Sequence, residues 1–145
     1  NSAFSKVELG NGIGLYEAQI IDDHGSVDAR KAARDRDEKV NWRLISAVDL
    51  NRCNSSLSFF DAEGMRFHLP AYLIAEIKGE YNFDVVLCLI DVSDYRRSQF
   101  VLLNNVQKGA VRCVLKYIMD QKDGWIFADE IKGALTNYWA VDHGS

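Results

Sequence analysis

Asn54 to Gly79 reads NSSLSFFDAEGMRFHLPAYLIAEIKG, and whether this stretch is helix or hairpin decides the fold class. Met65, Leu69, Leu73 and Ile77 recur every four residues, the spacing that places side chains on one face of an α-helix. Pro70 interrupts the series. Proline lacks the backbone N–H and disfavours helical backbone in the residue before it. The expectation is therefore a short turn of helix after Asp61, a break near His68 and Leu69, and a new helix from Pro70, since proline suits a first helical position. The rival reading makes LSFF and MRFHL two strands around a DAEG turn. Helix is preferred. The fold class is then mainly α, a compact single-domain helical fold, with a small β-hairpin or short strands in the middle as the alternative.

Upstream, residues 1–14 hold three glycines near their end and show little periodicity, which reads as a loose arm. Leu15, Ala18 and Ile21 line one side of a short helix to Asp23, with Gly25 as a left-handed stop. The run DARKAARDRDEK from Asp28 to Lys39 interleaves acids and bases and reads as a solvated helix face. Asn41 is placed to cap a helix reaching about Arg52, with Trp42, Ile45 and Asp49 on one side and Leu44, Val48 and Ala47 adjoining. Downstream, VVLCLI over 85–90 fits a buried strand or a short helix capped by Asp84. Asn104, with Gln107 three residues on, reads as a capping box. It opens a helix to about Gln121 whose inward stripe is Val106, Ala110, Val114 and Ile118, with Val111 and Tyr117 beside it. A last helix spans about Phe127 to Trp139, with Phe127, Ile131, Leu135 and Tyr138 or Trp139 facing in. The organisation is a loose arm over 1–14, one globular domain over 15–141 and a tail over 142–145.

Seven Phe, six Tyr and three Trp in 145 residues supply a core that needs no disulfide or metal staple. The same content excludes disorder. A net charge of −4 argues against a nucleic-acid binder, which needs a positive footprint. It suits a basic protein partner instead. No run approaches the ~18 apolar residues of a membrane span. Cys53, Cys88 and Cys113 form no CxxC pair, so neither a zinc knuckle nor a thioredoxin-like site is indicated. Cys88 and Cys113 read as small core residues. Unpaired thiols favour a reducing compartment, here the cytoplasm. The chain opens on Asn1 rather than Met, which points to trimming upstream, so the missing signal peptide carries little weight.

The histidines are His24, His68 and His143. None stands at metal-ligand spacing from another, and no HExxH or EF-hand loop is present. The Asp22–Asp23–His24 cluster reads as solvent-facing charge. Glycines 10, 12 and 14 do not complete a dinucleotide fingerprint, and neither a Walker loop nor a GxSxG elbow occurs. No cofactor and no metal are expected. Asp61, Glu63, Arg66 and His68 are the one cluster with acid–base chemistry. Their structural reading is that Asp61 caps a helix, Glu63 sits favourably in its first turn and Arg66 pairs locally.

Leu57 to Tyr72, LSFFDAEGMRFHLPAY, together with Trp42 and Ile45, resembles a small bacterial family of unknown function with an aromatic-rich SFxDxEGxRFxLPAY core. Phe100 to Ile118, FVLLNNVQKGAVRCVLKYI, is similar to its second block. The resemblance covers about half the chain. It implies an intracellular bacterial protein and brings no active site with it.

Three functions are therefore weighed. The leading expectation is a non-enzymatic protein-binding module, of the kind an immunity protein uses to mask a bacterial toxin. Its anchors would be Trp42, Asp61, Glu63, Arg66, His68 and Tyr72, because interfaces favour large aromatic and Arg side chains. The second is a small hydrolase or transferase using Asp61, Glu63 and His68. The third is a structural subunit closing a homodimer.

Overall fold

A computed structural model describes residues 2–91, 93–121 and 128–139. Among them are eight α-helices and no strand: α1 Leu15–Asp22, α2 Val27–Arg36, α3 Ala47–Arg52, α4 Ala62–Lys78, α5 Val85–Ile90, α6 Asp94–Phe100, α7 Asn105–Asp120 and α8 Ala128–Asn137. The chain punctuates them with short polar residues. The side chains of Ser26, Ser46, Asp61, Asp84, Ser93 and Asn104 each accept a backbone N–H at a helix start, satisfying donors the helix leaves open. Asp84 settles VVLCLI as helix, and Gln107 completes the capping box with Asn104.

The central stretch is one unbroken helix, α4, with Pro70 inside it. The expected break at His68–Leu69 does not occur, and neither does the hairpin. Pro70 offers no N–H to the Arg66 carbonyl, and an interior proline costs about 3 kcal/mol. That cost is outweighed by packing. Met65, Phe67, Leu69, Tyr72 and Leu73 are all buried, and each large apolar side chain contributes roughly 1.5–3 kcal/mol on burial. Helix α4 touches α3, α5, α6 and α7, which is why it is buried on nearly every side. Gly79, at φ 71°, ends it in the left-handed cap conformation.

Four local expectations are corrected around this axis. Asn41 caps only a 3₁₀ turn, Trp42–Leu44. Ile45 is then extended and Ser46 starts α3 afresh. Near Gly25 the left-handed residue is His24, at φ 57°. Gly25 is there for space, because a Cβ would run into Ile20 Cγ2. Segment 2–14 carries Phe4 and Leu9, both buried, so it is packed rather than loose. The indole Nε1 of Trp42 donates to the Phe4 carbonyl at 2.9 Å, and the Leu9 amide donates to the Lys39 carbonyl at 2.9 Å. The charged run is not simply a solvated face either. Helix α2 packs on α1 with Ala33 buried. Its Arg34 donates to the carbonyls of Gly10, at 2.7 Å, and Gly12. Arg30 and Arg34 both pair with Glu17, at 3.3 and 3.5 Å.

In α7 the expected Ala110, Val114 and Ile118 are half-buried against the core, but the most buried side chains are Gln107, Val111 and Leu115, one position on, and Val106 is exposed. Cys88 is buried as expected, but Cys113 is exposed. Ile131 and Ala134 of α8 face the core, and the Trp139 indole donates to the Leu89 carbonyl at 2.9 Å. Phe127 and the 142–145 tail lie outside the described residues.

Candidate functional site

The start of α4 sits against the glycine segment. The Asp61 carboxylate accepts from Gly64 N and Ile13 N, both at 2.9 Å. A Cβ on Gly12 would stand 2.7 Å from the Gly64 amide nitrogen, so only glycine lets the two backbones approach this closely. Glu63 lies over Gly10, whose added Cβ would reach its carboxylate at 3.1 Å. One turn further, His68 is fully buried and stacks on Phe60 with ring centroids 4.3 Å apart. Its Nδ1 lies 2.7 Å from the Gly64 carbonyl. A carbonyl only accepts, so Nδ1 carries the proton and Nε2 is left as a buried acceptor with no partner. Burial holds the imidazole pKa down to about 4, against weaker upward pulls from Gly64 and Asp61.

The acid–base cluster is therefore not assembled. His68 makes no hydrogen bond to Asp61 or Glu63, and Asp61 is engaged as a cap. Tyr72, a turn beyond His68, is buried in edge contact with Tyr81 and Phe60, and burial raises its phenol well above its ordinary value. Trp42 is buried too, with the Arg43 guanidinium 4.5 Å above its ring. Of the six candidate anchors, Trp42, His68 and Tyr72 belong to the core. Asp61, Glu63 and Arg66 reach solvent. The thiols Cys53 and Cys88 are buried, and burial pushes each up to about 11, so neither is a ready nucleophile. Among the described residues no group of three or more His, Cys, Asp and Glu could hold a metal. No helix among them is long and apolar enough to cross a membrane.

Two of the concave surfaces among the described residues are lined by a candidate anchor. One is a groove of about 400 Å³ between the 42–47 turn, α3 and α4, floored by Trp42, Leu50, Ala71 and Ala75. Leu44 and Val48, neighbours in sequence to its lining, are 68% and 64% exposed. The other is a cleft of about 540 Å³ where residues 3–8, Arg66 and the start of α7 meet. Sequence reading placed Leu44 and Val48 beside the inward side of a helix from Asn41, but both are exposed, and the break at Ile45 and Ser46 leaves them on no common helix face. Nothing in the sequence singled out Lys6.

Compared with known protein families, residues 1–143 match a family of unknown function, DUF6714. The chain belongs to that family. This agrees with the expected resemblance to a small family of unknown function, and the match covers nearly the whole length. No curated protein and no solved structure matches. The family carries no activity to transfer, so function rests on the two concavities and the exposed side chains beside them.

Proposed function

We propose that this chain is a non-enzymatic protein-binding module whose docking face is the groove beside Trp42. The observation that carries this is the groove itself, floored by Trp42, Leu50, Ala71 and Ala75, with Leu44 and Val48 exposed at positions next in sequence to its lining residues. Exposed apolar surface at a concavity supports an interaction site. The occupant is the apolar face of a partner helix, which a groove of this kind accepts through side chains three and four residues apart. The rim is of mixed sign, Arg43 and Lys78 against Glu80, so it sets orientation more than attraction. The net charge of −4 favours a partner of positive overall charge. A toxin masked by an immunity-type protein would be such a partner. The setting is bacterial cytoplasm, which three free thiols support.

The test is to tag the full chain in its own host and identify what co-purifies at low and moderate salt. The expected result is a stoichiometric basic partner that weakens as salt rises. Leu44→Asp and Val48→Asp, at exposed positions, should each weaken capture about tenfold or more. A partner held equally well by both variants, or no partner at either salt, would overturn the reading.

A further inference from the structure

Arg66 is the sequence-picked anchor that both reaches solvent and holds a buried unpaired donor. It stands on α4 between Glu63 and Pro70 and is only partly exposed. Its Nε is buried without a hydrogen-bond partner. The four ion pairs among the described residues all involve other side chains. A guanidinium carries five donors in a fixed plane, and leaving the buried Nε–H unmet is unfavourable. Arg66 lines the 540 Å³ cleft together with Lys6, Glu8, Val7 and Leu102. Lys6 is also exposed and without an ion pair. Glu8 bridges to neither cation within 4 Å, so the cleft carries two unpaired cations against one acid. Helix α7 contributes little charge, because Asn104 and Gln107 satisfy each other's amides at its start. The cleft volume lies in the range of small-ligand sites and is far larger than a lone inorganic anion needs.

We propose that this cleft binds the oxyanion end of a small organic anion, carboxylate or phosphoryl, with Arg66 as the planar clamp and Lys6 as the second cation. The fork of Arg matches two oxygens of either group, which a lysine does not do. Val7 and Leu102 then take the apolar part of the same molecule. No residue of the cleft lines the groove beside Trp42, so this site stands or falls apart from the docking face.

The experiment is a titration of the full chain followed by amide chemical shifts and by thermal melting, with succinate in one arm and inorganic phosphate in the other. Saturable shifts at residues 5–8, 66 and 102–107, with a rise in melting temperature as ligand exceeds its Kd, are expected from at least one arm. The stronger arm tells carboxylate from phosphoryl. Arg66→Gln should weaken binding tenfold or more, Lys6→Gln severalfold, and Lys31→Gln on the exposed face of α2 not at all. If Arg66→Gln folds poorly, Arg66→Lys keeps the charge and loses the fork, and should still weaken binding severalfold. Absence of saturable shifts in both arms, or equal weakening by Arg66→Gln and Lys31→Gln, overturns the proposal.

Discussion

His68 shows how burial converts a reactive residue into a structural one. The folded ring has a pKa of about 4, below the ordinary value near 6.5. The unfolded chain therefore binds a proton that the folded chain refuses. The stability this side chain supports is complete above about pH 6.5 and is lost as pH falls from there towards 4. At about 1.4 kcal/mol per pKa unit the loss is on the order of 3 kcal/mol. Asp37 and Glu76, whose carboxyls burial raises, act in the opposite direction at lower pH. The clean readout is therefore a difference. Urea unfolding from pH 7 to pH 4.5 should show a steeper loss for the wild type than for His68→Phe, which keeps a ring against Phe60. Parallel curves would mean that His68 is not shielded as described. The sequence held a hint of this. Phe67 to Ala75 runs nine residues without a charge, too long for a one-sided surface helix, so His68 inside it was more a core residue than a general base.

At the scale of elements, some helix starts were legible and helix continuity was not. Asp61, Asp84 and Asn104 act within three residues of themselves, so local sequence is enough to place them. Pro70 was misread because its local cost is decided by α3, α5, α6 and α7 around it, which no window of sequence contains. Val106 was misplaced inward on α7 for the same reason. Gln107 turns inward because its amide meets the Ala3 carbonyl, at 3.2 Å and 104 residues away. The glycine segment 10–14 looked loose because its partners are equally remote. Asp61 holds it from α4 and Arg34 holds it from α2. Asp61→Ala loses a helix cap and a tether together, and should cost about 1–2 kcal/mol. Arg34→Ala removes the second tether. Once either is gone the segment is partly freed, so the double variant should be less destabilised than the sum of the singles. A coupling of roughly 0.5 kcal/mol or more is expected from a urea double-mutant cycle. Strict additivity would show that the two side chains hold the segment independently.

For the molecule as a whole, the exposed apolar side chains at Leu44 and Val48 allow either a foreign partner or a second copy, and geometry separates the two. A twofold dimer presents the same patch to itself. Here the patch is a groove, and a groove facing a groove would enclose a void lined by Ala71, Ala75 and Leu50 while bringing Arg43 and Lys78 near their own copies. A convex helix fills the same space without either penalty. Light scattering at two concentrations tenfold apart should therefore give the 16.4 kDa monomer mass at both. A mass that doubles with concentration, and returns to the monomer in Leu44→Asp, would make the groove a self-association surface. Capture of a partner by the wild type and its loss in the same variant, with monomer mass unchanged, is the pattern that the docking face requires.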